Sequence, residues 1–355
     1  MVIYGTPIPT RPLGKNGPQV SAIGYGAMGI AIGYGLAKPD EQRLKILDAV
    51  VENGIYFIDT SDFYADSEAL IGKWLGLNPG LREKIFLATK FGIVGDPGFN
   101  APQNGKPEYV KSAIEKSLKN LGTDYVDLYY YHRIEKEVPI EVTMQALKEL
   151  KQAGKIKHIG LSECSAETIR RAHAIEPLTA VQLEYSPFSL DIEDPSLGII
   201  STCRELGIAI VCYSPLCRGL VTGRFRSQAD FGPGDLRGYL PRFNVENLTK
   251  NLELVDRIKA LANKKSVTPA QLTLAWELGR GNDFIPIPGT VQVEAMRENL
   301  GTINIHLTEE EREEITKAAR DCPPTGERYP PQLLHELFSD TIKLEDYTPS
   351  EQLGS

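Results

Sequence analysis

From about residue 40 onward, segments in which apolar residues recur with helical spacing alternate with short, nearly continuous apolar runs. In residues 40–53, Leu47 and Val51 stand four positions apart on one face of a predicted helix, and Gly54 follows as a stop signal. Residues 85–91 instead form a short, nearly continuous apolar run, which is typical of a strand buried on both faces. The alternation of the two patterns predicts an α/β protein.

The sequence contains eight of these short apolar runs, and each is followed by a helical segment or a long loop. Strands that alternate with helices predict a parallel sheet, and eight such units predict a closed (β/α)8 barrel, the TIM-barrel fold. The predicted strands are 21–25, 56–60, 85–91, 125–132, 156–161, 180–185, 208–213 and 284–287. The predicted helices are 40–53, 66–76, 107–121, 139–153, 165–175, 195–206, 247–264, 268–279, 291–300 and 308–320.

The two ends of the chain lie outside the repeating pattern. Breakers in residues 11–17 predict a short N-terminal hairpin, and residues 321–355 form a proline-containing C-terminal extension. The 355 residues suit one barrel of about 250 residues with insertions, so we assign 1–355 to a single (β/α)8 domain. The longest predicted loops are 92–106 and 216–246, and both are rich in glycine and proline.

A G-x-G-x-x-G match lies at residues 24–29, directly after the start of the first predicted strand. The dinucleotide-binding version of this motif requires that a helix open on its glycines. Here Gly33, Gly35 and Pro39 follow, so no helix is expected before Asp40. We therefore interpret the glycines as positions where the backbone approaches a ligand closely.

Composition and charge argue against several classes of protein. The net charge of −8 and the lack of a Lys/Arg-rich run argue against nucleic-acid binding. No apolar run approaches the ~18 residues of a membrane-spanning helix, and residues 1–10 lack the charged and apolar regions of a signal peptide. Five cysteines without C-x-x-C spacing fit reduced thiols. We therefore expect a cytoplasmic protein with no nucleic-acid or membrane partner.

Polar side chains stand at the ends of the predicted strands, where a barrel of this kind builds its site. Asp59 lies at the end of the second strand, Lys90 of the third and His132 of the fourth. Tyr64 follows five residues after Asp59. Taken singly, Lys90 fits a snorkelling surface lysine, His132 a buried structural histidine, and Tyr64 a surface tyrosine near a helix cap. Four such groups at one barrel mouth instead favour a functional site.

These four residue types suit the delivery of a proton to a carbonyl oxygen. A phenol with a pKa of ~10 is too weak an acid at neutral pH, and a nearby ammonium lowers that pKa by favouring the phenolate. A carboxylate would hold the ammonium, and a histidine would orient the substrate oxygen or share the proton. The reaction also needs a hydride donor. The five histidines show no metal-binding spacing.

With these residues in place, the chain resembles the aldo-keto reductase family, in particular its plant and fungal single-domain reductases. The resemblance spans residues 12–319. It rests on seven motifs in order, at residues 58–64, 88–92, 129–133, 160–163, 181–186, 213–216 and 287–290. It implies an NADPH-dependent reductase of aldehydes or ketones with Tyr64 as general acid. The catalytic tetrad that it implies is Asp59, Tyr64, Lys90 and His132.

The resemblance also implies a cofactor groove along the same strand ends. The residues at the nicotinamide would be Ser162, Glu163, Gln182 and, stacked on the ring, Tyr213. Those along the pyrophosphate would be Leu216, Arg218, Gly219 and Arg224. Those at the adenosine half would be Gly289, Thr290, Glu298 and Asn299. The implied set is completed by Gly26, Met28, Asp59, Ser214 and Gln292.

One departure from the family pattern concerns the choice of cofactor. Relatives carry basic residues two and five positions after Thr290, facing the 2′-phosphate of NADPH, whereas this chain has Gln292 and Ala295. NADPH is therefore expected to be preferred by a smaller margin, and NAD stays open as a second cofactor. Arg297 is a candidate substitute for the missing charge. Thr290 also fits a plain helix N-cap, which is compatible with a phosphate contact.

Two other functions remain open at this stage. Related barrels keep the tetrad yet serve as nucleotide-sensing auxiliary subunits of potassium channels, although with a long N-terminal arm that is absent here. A metal-dependent hydrolase would use Asp59 and His132, against which the ligand spacing argues. The substrate is expected to be a small carbonyl compound, selected by the longest loops and the tail. There we predict that Tyr329 and Leu334 help to close the pocket, with a disordered tail as the alternative.

Overall fold

The computed structural model describes residues 8–95, 98 and 101–348, and ten strands lie within them. In chain order they are β1 (Thr10–Pro12), β2 (Gln19–Ser21), β3 (Tyr25–Gly26), β4 (Phe57–Asp59), β5 (Phe86–Phe91), β6 (Val126–Tyr131), β7 (Ile156–Ser162), β8 (Ala180–Glu184), β9 (Ala209–Tyr213) and β10 (Phe284–Pro286). Strands β3 to β10 form one parallel sheet in sequence order. Gly24 N donates to Pro286 O (2.9 Å), which joins β3 to β10. The predicted eight-stranded barrel is confirmed.

Strands β1 and β2 pair antiparallel and form the predicted N-terminal hairpin. The predicted barrel strand over 21–25 is wrong at its start, because Ser21 belongs to the hairpin and β3 has only two residues. Between them, a Cβ on Gly24 would lie only 2.8 Å from Ile287 Cγ2, so a larger residue would push the first and last strands apart. Leu13, in the turn of the hairpin, packs with the residues inside the barrel.

Ten α-helices surround the sheet in the described residues. They are α1 (Asp40–Glu52), α2 (Ser67–Leu77), α3 (Pro107–Leu121), α4 (Ile140–Gln152), α5 (Ala166–Ile175), α6 (Ile199–Leu206), α7 (Val245–Lys264), α8 (Pro269–Leu278), α9 (Val293–Leu300) and α10 (Glu309–Asp321). The start of α6 is later than predicted because Gly198 caps it with a left-handed φ of 62°. The start of α9 is also later, with Gln292 rather than Thr290 as the N-cap. None of these helices is long and apolar enough to cross a membrane.

Apolar side chains fill two layers on either side of the barrel wall. Inside the barrel, Phe57, Leu128 and Ile285 belong to a cluster of their own. Outside, a larger cluster packs the strands against the helices and buries Trp74 and Trp276 completely. This packing excludes water from the barrel, so each polar side chain that it encloses needs a partner within the protein. The buried polar groups at the carboxyl ends of the strands therefore form the candidate site of this barrel.

Long loops and the C-terminal extension converge on the mouth formed by those strand ends. The segment after β3 meets the loop after β9, where Leu236 N donates to Gly33 O (3.0 Å). The extension runs back from α10 to the end of β7, where Ser339 N donates to Glu163 O (3.0 Å). Residues 1–7 and 349–355, which hold parts of the predicted N-terminal segment and extension, lie outside the described residues.

Candidate active site

An ion pair lies at the bottom of the barrel mouth. Lys90 comes from β5 and Asp59 from the end of β4, and both are buried. Lys90 Nζ donates to Asp59 Oδ1 at 2.5 Å and to Thr60 O at 2.8 Å. Gln182 Nε2 donates to Asp59 Oδ2 at 2.8 Å. Strand positions therefore hold the ammonium and the carboxylate in place, because neither group can turn away without losing its partners.

Tyr64 and His132 complete a four-residue cluster with that ion pair. Lys90 Nζ donates to Tyr64 Oη at 3.3 Å. The rings of Tyr64 and His132 meet edge to face, with centroids 5.6 Å apart and planes at 86°. His132 Nδ1 lies 3.1 Å from Ser61 Oγ, which orients the imidazole. The structure thus brings together all four residues of the predicted tetrad.

Burial sets the direction of the pKa shift for Tyr64 and His132, whereas for Lys90 its charged and polar partners outweigh burial. Burial raises the pKa of Tyr64, and the opposing pull of Lys90 is weaker, so the phenol stays protonated at neutral pH. The expectation that the ammonium lowers this pKa overall is wrong, since removal from water outweighs it. Burial opposes the charge of Lys90, but Asp59 and Tyr64 leave its pKa raised. Burial, followed by Lys90 and Arg133, holds the pKa of His132 well below its usual range, so the ring is neutral.

A cavity of about 670 Å³ opens above the cluster and continues along the strand ends to α9. Asp59, Tyr64 and His132 line one end of it, whereas Lys90 lies behind the wall. Besides Asp59, the lining includes all but one of the predicted cofactor-binding residues, namely Gly26, Met28, Ser162, Gln182, Tyr213, Ser214, Leu216, Arg218, Gly219, Arg224, Gly289, Thr290, Gln292, Glu298 and Asn299. The exception is Glu163.

Glu163 faces away from the cavity, although it follows Ser162 directly. Its backbone adopts a left-handed φ of 50°, which turns the side chain behind the wall. There Glu163 Oε1 accepts hydrogen bonds from Tyr213 Oη (2.9 Å) and Glu184 N (3.0 Å), and Arg328 pairs with both carboxylate oxygens. Burial opposes the charge of Glu163, but Arg328 and Arg133 leave its pKa lowered, so it is a carboxylate.

Arg218 lies beside the middle of the cavity with an unsatisfied donor. Its Nη2 is buried and makes no hydrogen bond, and the nearest carboxylate, on Glu184, is 3.8 Å away. The residue lies in an irregular turn in which its own φ is 53° and that of Gly219 is 90°. A buried guanidinium nitrogen that makes no hydrogen bond and lies next to a cavity suits an anionic ligand.

At the far end of the cavity, polar side chains meet at the protein surface. Arg224 donates from Nη1 to Gln292 Oε1 (3.4 Å) and from Nη2 to Glu298 Oε2 (3.2 Å). Thr290 Oγ1 accepts from Gln292 N (3.1 Å) just before α9. Arg297 is exposed and does not line the cavity, so the positive charge at this end belongs to Arg224.

The structure adds lining residues that the sequence analysis missed. Arg133 lines the cavity next to the tetrad and donates from Nη1 to Ser162 Oγ (3.3 Å). Its place directly after His132 is a signal that the strand-end argument overlooked. The extension contributes Tyr329, as predicted, but Leu333 and Leu337 line the cavity instead of Leu334. Leu333 lies in the short 3₁₀ helix Pro331–Glu336, and Leu337 is the residue directly after that helix.

Within the described residues, no group of three or more His, Cys, Asp or Glu side chains could hold a metal ion. Asp59 is engaged by Lys90 and Gln182, and His132 faces Ser61. The arrangement therefore gives no support to the metal-dependent hydrolase.

Comparison with known sequences places the chain among reductases. A model of the aldo/keto reductase family matches residues 22–320. The aldo-keto reductase str7 of Strobilurus tenacellus is 48% identical over 329 residues, which cover 91% of this chain and 95% of that protein. The aldo-keto reductase yakc [NADP(+)] of Schizosaccharomyces pombe is 47% identical over 337 residues, covering 94% of this chain and 98% of that one.

Solved structures of reductases and dehydrogenases have the same fold. The thermostable aldo-keto reductase Tm1743, in complex with the inhibitor epalrestat, superposes with a TM-score of 0.71 at 27% identity, covering 88% of this chain and all of that one. The glycerol dehydrogenase AKR11B4 of Gluconobacter oxydans superposes with a TM-score of 0.78 at 26% identity, covering 90% of this chain and 97% of that one.

Proposed function

The chain belongs to the aldo/keto reductase family, and on that premise we propose that Tyr64 is the acid with which it reduces an aldehyde or ketone. The family resemblance inferred from the seven motifs is confirmed. The chain is thus an oxidoreductase acting on carbonyl groups with a nicotinamide cofactor. The alternative of a nucleotide-sensing auxiliary subunit is not favoured, because relatives that match nearly the whole chain are named reductases.

One observation carries the proposal for Tyr64. Tyr64 lines the cavity, and its hydroxyl accepts a hydrogen bond from a buried ammonium that Asp59 holds at 2.5 Å. Of the four residues, Tyr64 is the best-placed acid at the cavity, since Lys90 is walled off, both oxygens of Asp59 are held by Lys90 and Gln182, and neutral His132 is a far weaker acid than imidazolium. This arrangement suits general acid catalysis.

The reaction then assigns a task to each side chain. When bound, the reduced nicotinamide supplies the hydride that adds to the carbonyl carbon. Tyr64 Oη donates its proton to the carbonyl oxygen, and Lys90 stabilises the phenolate that remains. Asp59 keeps the ammonium in place. Neutral His132 lies edge-on to Tyr64 and orients the carbonyl oxygen toward that hydroxyl.

The residues along the cavity fit a dinucleotide. At the tetrad end, Ser162 keeps a hydroxyl proton to donate and Gln182 keeps an acceptor oxygen, which suit a carboxamide. Tyr213 also lines the cavity and supplies an aromatic ring that could stack on the nicotinamide. In the middle, the Nη2 atom of Arg218, which makes no hydrogen bond, suits a pyrophosphate. At the far end, Thr290 and Asn299 suit an adenosine half.

We further propose that NADPH is preferred over NADH, with Arg224 as the main basic contact of the 2′-phosphate. Arg224 lies against Gln292, one of the two positions where basic residues are missing. The backbone N–H groups at the start of α9 add a second favourable term for an anion. The margin is expected to be modest, because Arg224 is half-exposed and already shares its charge with Glu298.

The test is steady-state NADPH oxidation by the purified protein with a panel of aromatic and aliphatic aldehydes and ketones. We expect turnover with several of them, together with the reverse oxidation of the corresponding alcohols by NADP+. Tight binding of NADPH without turnover of any carbonyl compound would support the auxiliary-subunit function instead.

A further inference from the structure

The C-terminal extension reaches the cofactor region through a closed ring of side chains, in which Arg328 and Glu163 are buried and Tyr213 and Tyr329 are half-buried. Arg328 donates to Glu163 from Nη1 to Oε1 (3.2 Å) and from Nη2 to Oε2 (3.3 Å), and it is only 4% exposed. Tyr213 Oη donates to Glu163 Oε1 at 2.9 Å. The next residue after Arg328, Tyr329, closes the ring with its Oη 3.2 Å from Tyr213 Oη.

We propose that Arg328 is a positioning residue for the nicotinamide cofactor and acts through Glu163 on the ring of Tyr213. The proposal rests on the function proposed above, in which that ring stacks on the nicotinamide. Glu163 serves as a scaffold here rather than as a cofactor ligand. Its Oε1 already accepts three hydrogen bonds and its side chain lies outside the cavity.

Loss of Arg328 should disturb this ring of side chains, because it would leave the buried carboxylate of Glu163 without its guanidinium partner. A buried carboxylate that loses a bidentate guanidinium partner must find another cation, admit water or become protonated. Each of these three changes would move Glu163, and with it the Tyr213 hydroxyl that donates a hydrogen bond to Glu163. Ser162, the adjacent residue, lines the cavity, so a shift of the left-handed backbone at Glu163 reaches the cofactor directly.

The extension is also tied to the same point through its backbone. Ser339 N donates to Glu163 O (3.0 Å), and Ser165 N donates to Ser339 O (3.1 Å). The extension therefore binds the end of β7 through both side-chain and backbone hydrogen bonds. Its contribution extends to cofactor affinity and is not restricted to closing the substrate pocket.

The test measures the Kd of NADPH by fluorescence titration in the absence of substrate. Arg328→Met should weaken binding about tenfold or more, and Arg328→Lys should recover part of the loss. Arg320→Met is the matched control, because Arg320 also forms an ion pair, with Glu193, but its side chain is 60% exposed and it does not line the cavity. That control should bind NADPH as the unaltered protein does.

Two more variants separate positioning from simple loss of folding. Glu163→Gln combined with Arg328→Met removes the unpaired charge and should bind NADPH more tightly than Arg328→Met alone. Tyr329→Phe deletes only one hydroxyl of the ring and should weaken NADPH binding about two- to fivefold with little change in thermal unfolding.

An unaltered NADPH Kd in Arg328→Met, with only the aldehyde KM changed, would overturn the proposal and restrict the extension to the substrate pocket. If Arg328→Met does not fold, Tyr329→Phe decides, and an unaltered Kd in that variant overturns the proposal. A failure of the unaltered protein to bind NADPH is a distinct outcome, which would overturn the proposed function as well.

Discussion

The two ends of the cavity are built in opposite ways. At the tetrad end, Lys90 is completely buried, contacts Asp59, Thr60 and Tyr64, and is carried by a central strand. At the other end, where we propose that the adenosine half binds, Arg224 reaches Gln292 and Glu298 from a loop, and its side chain is 52% exposed. One end holds charges away from water, and the other leaves them in it.

This difference separates chemistry from cofactor choice. Charges in a buried site interact strongly because little solvent screens them, whereas an exposed pair contributes at most about 1 kcal/mol. Substitutions at the tetrad end should therefore change rates by orders of magnitude. Substitutions at the adenosine end should change a preference by small factors, so that this end can be altered without loss of catalysis. The four predictions below test that contrast.

The largest effect is expected for Tyr64→Phe. Loss of the general acid should lower kcat by about 10²–10⁴-fold, while the Kd of NADPH changes little. Tyr239→Phe makes the same chemical change at the exposed rim of the cavity and should leave kcat unaltered. Turnover of Tyr64→Phe at the unaltered rate, measured as NADPH oxidation with one aldehyde, would show that another group donates the proton.

Lys90→Met should be about as damaging as Tyr64→Phe, and Asp59→Asn should cost less because Asp59 acts through Lys90. The combination of Tyr64→Phe with Lys90→Met should be hardly worse than either change alone, since the two residues work as a unit. The measurement is kcat for the single and double variants. Losses that multiply would mean that the phenol and the ammonium act separately.

A smaller effect is expected on stability at mildly acidic pH. His132 is neutral and buried, and its pKa lies well below its usual value in the folded protein. As the pH falls through ~6.5, His132 takes up a proton in the unfolded chain but stays neutral in the folded protein. The free energy of unfolding therefore decreases toward acid pH. This one group should contribute roughly 1.4 kcal/mol between about pH 7.5 and 5.5.

Urea unfolding at those two pH values measures the loss, and His132→Gln should reduce it. His158→Gln is the comparison, because burial also lowers the pKa of His158, but less strongly. It should remove a smaller part of the pH dependence. An equal pH dependence in His132→Gln and the unaltered protein would contradict a neutral, buried His132.

The smallest effect is expected at the adenosine end. Arg224→Met should narrow the ratio of kcat/KM for NADPH over NADH by about three- to tenfold, and Gln292→Lys should widen it by a similar factor. Both variants should keep near-normal kcat at saturating cofactor. Arg297→Met is the matched control on the outside of α9. A narrowed ratio in Arg297→Met, with none in Arg224→Met, would place the phosphate on that outer face.

Much of the barrel and the tetrad could be predicted from the order of residues. Parallel strands all end at one rim, so a polar residue at the end of one strand must lie near those at the ends of its neighbours. The grouping of Asp59, Lys90 and His132 could therefore be predicted from their positions along the strands, without knowledge of any contact between them. The errors in the elements, such as the start of β3 and of α9, fall where a tight approach or a cap overrides the local pattern.

The ring of Arg328, Glu163, Tyr213 and Tyr329 was beyond the sequence analysis. Glu163 and Arg328 stand 165 residues apart, and no periodicity links them. The motif that holds Glu163 suggests a cofactor ligand, but a left-handed backbone angle turns the carboxylate the other way. Similarly, the expected lowering of the pKa of Tyr64 failed because the depth of burial at that phenol depends on everything packed around it.

The fold class, the family and the chemical types gathered at the barrel mouth follow from the order of residues alone, because periodicity and position along a strand are local properties of the chain. Folding in three dimensions sets which groups lose contact with water, which arginine lies at the far end of the cavity, and how the extension meets β7. Those outcomes depend on burial and on contacts between distant segments. In this protein they separate a buried, strongly coupled end, which holds the proposed tetrad, from an exposed, weakly coupled end, where we propose that the adenosine half binds.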